Sequence, residues 1–288
     1  MARVIVTGAN SRYFHRLLTL LTTTIETSAA GIDGIVVWDL GLRRSQRSVL
    51  SDLDQVEIAG LPARSRWPYP DWADPARLRE SYAFKPFALL RTGFPGDTLL
   101  WLDAGVAVLG ELIPAFEMVE RDGVFLLDNP PHRNDRWTSV ECAKVMDASE
   151  EELLAPQIEA NIIGVQVGGP WQPVFDDWLS YSTQRSAFVG DRRHHRHDQT
   201  VLSILAARHG MPVSERSSFS WRGDREGARS AGALFLAHRK DHEEIRLAPH
   251  GMVSRVALTL LRLEGAGRRA AAQARRRGGA LRRKMRRS

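Results

Sequence analysis

The sequence predicts a single α/β domain built on a mostly parallel, Rossmann-like sheet flanked by helices, followed by a basic tail. Three observations predict it. Short apolar runs alternate with helical periodicities from residue 3 to about residue 240. Several of the runs stop at an acid or a glycine, as strands buried in a parallel sheet do. No internal repeat and no linker breaks the alternation before residue 250.

The elements follow in order. Residues 3–7 (RVIVT) form a β-branched strand that runs into a Gly8-Ala9-Asn10 turn. Ser11 caps a helix through about Ala29, with Leu17, Leu18, Leu21 and Ile25 at helical spacing. Gly34 introduces a strand over 35–38, ended by Asp39 and Gly41; 45–53 is helical and 55–58 extended. The Pro- and Trp-rich stretch 61–75 is loop. A helix over 78–92 must break or restart at Pro86. Residues 98–105 (TLLWLDAG) form an apolar strand that stops at Asp103, followed by a helix at 114–121 and a strand at 124–127. Residues 128–136 (DNPPHRNDR) are loop, 150–154 a short helix, 160–167 a strand and 172–182 a helix. A helix over 198–209 places Val201, Leu202, Leu205 and Ala206 on one face, and a late strand over 234–237 ends at His238.

The composition, 43% hydrophobic and 26% charged over 288 residues, is that of a soluble globular protein. No run reaches the length of a membrane span, and the apolar part of MARVIVTGAN is short for a signal peptide. The single cysteine, Cys142, excludes an internal disulfide and reads as an inert thiol. These features predict a cytoplasmic protein. The net charge of +6 is uneven: residues 253–288 hold twelve cations and one acid, leaving a net −5 on the first 252 residues.

Several residues carry chemistry. Asp103, at the carboxyl end of its strand, is placed to hold a divalent cation or face a ligand, and Gly105 lets that ligand approach the backbone. Lys85 stands out because the chain has four lysines and thirty-six arginines. Asn161 opens an apolar strand where an amide can donate to sugar hydroxyls. Asp198 and Gln199 start a helix; Asp198 fits either a helix cap or a group in the cleft. His238 ends a strand and is followed by Arg239 and Lys240, which suit a cation and phosphate oxygens. His194, His195 and His197 lie in a basic RRHHRH loop that lacks thiols or paired carboxylates at ligand spacing, which argues against a metal cluster. Thr7-Gly8-Ala9-Asn10-Ser11 resembles the opening of short-chain dehydrogenases. Arg12, Tyr13 and Phe14 stand where a dinucleotide fingerprint needs glycines, and Tyr82 and Lys85 are one residue too close for that family's pair.

Taken in order, WLDAG, ANIIGVQVGG, HDQTVLSIL and LFLAHRK resemble the GT-A glycosyltransferases, nearest to family-8-like enzymes, over roughly residues 3–240. The resemblance implies a nucleotide-diphosphate sugar as donor and a hydroxyl as acceptor, with retention of configuration. It implies that Asp198 and Gln199 are catalytic, and that Thr7, Asn10, Lys85, Asp103, Gly105 and Asn161 bind donor. Gly164 matches the family's Asn-Gly strand with one extra residue before it. Asp103 and His238 would hold Mn²⁺ or Mg²⁺. Gly105 stands where the family has its second acid, so a cation would have one fewer carboxylate.

The domain is assigned to 1–252 and a basic tail, amphipathic or disordered, to 253–288. Residues 253–263 suit an amphipathic helix, and 268–287 hold ten cations. Anionic lipid attracts such a segment, and the lack of aromatic interleaving argues against nucleic acid. The expected partners are therefore a nucleotide-diphosphate sugar, a glycan or lipid-linked acceptor, and an anionic membrane surface at its inner face. The alternative is a non-catalytic glycan- or nucleotide-binding protein with a degenerate transferase site, docked by its tail.

Overall fold

A computed structural model describes residues 1–61, 82–191 and 193–237. Most of the 61–75 loop, the start of the 78–92 helix, His238, Arg239, Lys240, the boundary at 252 and the 253–288 tail lie outside those residues.

The main sheet has six strands. They are β1 (Arg3–Ala9), β2 (Gly34–Asp39), β3 (Val56–Gly60), β4 (Thr98–Leu102), β6 (Val124–Arg133) and β7 (Pro156–Gln166), in the order β3-β2-β1-β4-β7-β6. The first four run parallel, and β7 runs against both of its neighbours. The sheet is mostly parallel, as expected, with one reversed strand. Strand order turns back between β1 and β4. Such a switch point leaves a crevice beyond the carboxyl ends of the strands. A smaller sheet, order β5-β9-β8, is made of β5 (Val106–Val108), β8 (Ser220–Trp221) and β9 (Phe235–Ala237).

Helices cover the sheet because their apolar stripes need a partner. In α1 (Phe14–Ser28) Leu17, Leu18, Leu20 and Leu21 are buried. Its threonines turn their hydroxyls onto the helix's own carbonyls, Thr23 Oγ1 to Thr19 O at 2.9 Å and Thr27 Oγ1 to Thr23 O at 2.7 Å. Beyond α2 (Arg44–Ser51), α3 (Phe84–Leu90) starts just before Pro86. The missing N–H thus falls in the first turn, where it costs little. α4 (Ile113–Asp122) ends at Gly123, whose φ of +76° supplies the left-handed stop. Four short helices follow, α5 (Asn134–Trp137), α6 (Val140–Val145), α7 (Glu150–Leu154) and, after α8 (Gln172–Ser182), α9 (Arg185–Phe188). α10 (Asp198–Arg208) is buried from Asp198 through Ala206, and α11 (Arg225–Ser230) lies between β8 and β9 in sequence.

Two expectations need correction. Ser11 does not cap α1. β1 runs on to Ala9, Asn10 Oδ1 accepts from the Arg12 N–H at 3.0 Å, and the helix begins only at Phe14 after Tyr13, which makes no side-chain cap. Residues 128–136 are not loop. β6 continues to Arg133 with register shifts between Leu126 and Asp128 and between Asn129 and Arg133. Pro130 and Pro131 are tolerated because β6 is the sheet's edge and bulges there. Gly164 has a packing reason of its own: a Cβ there would lie 2.4 Å from Val119 Cγ2 and 2.8 Å from Phe125 Cβ.

Candidate active site

A cleft of about 650 Å³ opens where β1 and β4 end. It is lined from the end of β1 (Gly8, Ala9) and Asn10 after it, the approach to α1 and its first turn (Arg12, Tyr13, Arg16), α3, the end of β4, the middle of β7 and the start of α10.

Lys85 lies at its centre. α3 carries this lysine inward until its side chain is only 2% exposed. Nζ donates to Ala160 O at 2.7 Å. It also lies 2.7 Å from Asp198 Oδ2 and 3.1 Å from Asp103 Oδ1. Those three acceptors match the three protons of an ammonium. The Tyr82 and Trp101 rings each lie 5.6 Å from the same nitrogen. Burial of a charge is tolerable only with such a set of partners.

Asp103 follows β4 directly. Trp101, two residues earlier and so on the same face, donates Nε1–H to Asp103 Oδ1 at 2.7 Å. The Asp103 side chain remains 36% exposed, so part of it opens to the cleft. Asn161 faces Asp103 across the β4–β7 ladder, its carbonyl accepting the Asp103 N–H at 2.9 Å.

Asp198 is not the cap of its helix. It is the first residue of α10, and its side chain turns inward to Lys85 with 6% exposure. Burial pushes its carboxyl up to about 6, and Lys85 opposes that rise. Burial alone would also weaken the Lys85 ammonium, but Asp103 and Asp198 outweigh this and raise it above its ordinary value. At neutral pH the centre is one ammonium held between two carboxylates. His197, in the cap position, has φ +52° and ψ −118°, a strained setting for a residue with a side chain. Its Nδ1 lies 2.9 Å from Phe188 O. Burial, with His197 nearby, pushes His195 down to about 4. Its neutral Nδ1 accepts the Ser139 N–H at 3.4 Å. Gln199 donates Nε2–H to Gln157 Oε1 at 2.9 Å.

Asn10, Lys85, Asp103, Gly105, Asn161, Asp198 and Gln199 thus line a single cleft. Thr7 does not: it is fully buried, and its strand reaches the cleft through Gly8, Ala9 and the Asn10 that follows instead. Ala237 lines the cleft, and His238 after it lies outside the described residues. Sequence reasoning missed Arg12, Arg16, Tyr82, Trp101, Trp137 and Arg196, which also line it. Trp101 was accessible to it, because a residue two before Asp103 on a strand shares its face. Arg196 stacks 3.9 Å over the Trp137 ring, a contact that no local pattern announces.

The described residues do not fit a divalent cation. Gly105 offers no ligand, Asp103 Oδ1 is engaged by Trp101 and Lys85, and an ammonium stands 3.1 Å away. Among the described residues, no three His, Cys, Asp or Glu side chains cluster so as to hold a metal ion.

No family model and no curated protein matches the sequence. Solved structures do match. One is the galactosyltransferase LgtC in complex with donor and acceptor sugar analogues, with a TM-score of 0.55 and 13% identity over 89% of this chain and 95% of that one. A second is the bifunctional glycosyltransferase WbbM, with a TM-score of 0.54 and 11% identity over 83% of this chain and 46% of the other. A third is mouse xyloside xylosyltransferase 1, with a TM-score of 0.51 and 11% identity over 83% of this chain and 97% of that one. This chain has the GT-A glycosyltransferase fold.

Proposed function

We propose that the protein is a glycosyltransferase that moves a sugar from a nucleotide diphosphate to an acceptor hydroxyl. The carrying observation is the convergence of Lys85, Asp103, Asn161, Asp198 and Gln199 on one cleft at the switch point of a GT-A sheet. In this reading Asn10 meets the nucleoside, while Lys85, Asp103 and Asn161 set the donor. Thr7, a donor-binding expectation from sequence, would act only by placing the end of β1 and Asn10 after it. Asp198 and Gln199 touch the transferred sugar and the incoming hydroxyl, with retention of configuration. Lys85 holds the two carboxylates apart and fixed before substrate arrives, so little reorganisation is left to the reaction. Mn²⁺ or Mg²⁺, expected on Asp103 and His238, is not fitted by the described residues, and no step above depends on it. The acceptor would be a surface glycan or its lipid-linked precursor. Residues 253–288 would dock the cytoplasmic enzyme on the inner face of an anionic membrane.

Gly105 and the engaged Asp103 favour one rival, a binding protein that holds a nucleotide or glycan without turning it over. Thermal-shift measurements with UDP, GDP and CDP, each with and without Mn²⁺, test the donor site. A rise in melting temperature with one nucleotide is expected; no rise with any of them ends the donor reading. Hydrolysis of the matching nucleotide sugar that disappears in Asp103→Ala supports the enzyme. Binding with no turnover selects the rival.

A further inference from the structure

Behind Gln199 stands a second amide, Gln157, fully buried on β7 and away from the cleft wall. The hydrogen bonds joining it to Gln199 and Thr200 have a direction that can be worked out from the backbone. The Trp137 carbonyl can only accept, so Thr200 Oγ1 donates its one proton there, at 2.7 Å. Thr200 Oγ1 also receives the Arg196 N–H at 3.0 Å. Toward Gln157, 3.4 Å away, that hydroxyl can therefore only accept. Gln157 must present its NH₂ to Thr200 and its Oε1 to Gln199. Gln199 must then present its NH₂ to Gln157, at 2.9 Å. This leaves Gln199 Oε1 as the end of the amide not committed to Gln157, in a residue that lines the cleft.

We propose that Gln157 is a positioning residue that fixes the amide of Gln199 with its oxygen, rather than its nitrogen, toward the transferred sugar. An oxygen there accepts from a sugar hydroxyl and faces the positive charge that develops at the anomeric carbon; an NH₂ group would do neither. The purpose of the arrangement rests on the sugar-transfer reading, whereas the orientation itself does not.

The test compares Gln157→Met, a near-isostere with no acceptor, with Gln157→Glu, which keeps an acceptor toward Gln199. Hydrolysis of UDP-galactose, UDP-glucose and GDP-mannose gives kcat and KM. Exchange of the Gln199 side-chain amide protons, assigned by their loss in Gln199→Glu, is followed by NMR on the same proteins. Gln157→Met is expected to lower kcat about 100-fold with donor KM little changed, as displaced catalytic groups do. It should also speed exchange of the Gln199 amide, and Gln157→Glu should recover most of both. Unchanged exchange in Gln157→Met, or equal losses of kcat in the two variants, overturns the proposal. Should Gln157→Met fail to fold, Thr200→Val removes the acceptor for Gln157 together with the bonds to Trp137 and Arg196, so there exchange of the Gln199 amide alone decides: faster exchange supports the proposal and unchanged exchange overturns it. Absence of turnover by the parent protein on every donor counts against sugar transfer, and the exchange measurement then decides the orientation alone.

Discussion

The two walls of the cleft are built differently. On the wall of α3, β4 and α10 the charged groups are enclosed or held: Lys85 by Ala160, Asp103 and Asp198, and Asp103 also by Trp101. On the wall of α1, Arg12 is exposed and Arg16 half-buried, and neither has a carboxylate partner among the described residues. Arg16 rests instead 5.5 Å over the Tyr13 ring. The first wall meets its ordering cost when the chain folds, which suits groups that must be in place before a reaction. The second keeps its donors hydrated and available, which suits capture of an arriving anion.

Three measurements can break or sharpen that contrast. Lys85→Met should have the largest effect, because it leaves two carboxylates facing each other without their shared cation. Stability should fall by about 3–5 kcal/mol, the usual consequence of removing one partner from a buried ion pair. Urea unfolding at pH 7 checks this, and a loss below about 1 kcal/mol would mean that the wall is not held as described.

The second effect concerns acid. His195 titrates near 4 in the fold, against about 6.5 ordinarily, so the unfolded chain takes up the proton first. Its contribution is intact above about pH 6.5 and is lost as pH falls toward 4, in full about 3 kcal/mol. Asp198, raised to about 6, works in the opposite sense, since acid relieves its burial over roughly the same window. His195→Gln should therefore lose less stability than the parent between pH 6.5 and 4.5, as read from urea midpoints at both values. Equal losses would show that His195 is not held neutral.

The smallest effect is expected on the other wall. Arg12→Gln with Arg16→Gln should change stability by less than about 0.5 kcal/mol, as exposed substitutions do. UDP binding followed by calorimetry should weaken roughly tenfold, with a flatter salt dependence. A large stability loss would make the two walls alike.

Much of the architecture was readable from periodicity. The helices at 150–154 and 172–182 coincide with α7 and α8 because each is closely bounded by local signals, Ser149 before the one and Gly169-Pro170 before the other. The strand that stops just before Asp103 stood out for its apolar run, and all five of its residues are buried. The proline-rich end of β6 was misread because sequence does not reveal that a strand is at an edge. Asp103, Asp198 and Gln199 were visible as residues at element ends. The grip of Asp103 and Asp198 on Lys85 was not, because a lysine's burial depends on partners far apart in the chain. Gln157 was invisible for the same reason: its meaning comes from Thr200 and the Trp137 carbonyl, forty-three and twenty positions distant.

The seclusion of Lys85 has a practical side. Two lysines fall within the described residues, and only Lys144 is exposed. Of these two, Lys144 is therefore the one that reagents acylating amines should reach, while the ammonium in the cleft stays untouched. Attachment to a resin or a dye through amine coupling becomes a route that spares the very group around which the pocket is organised.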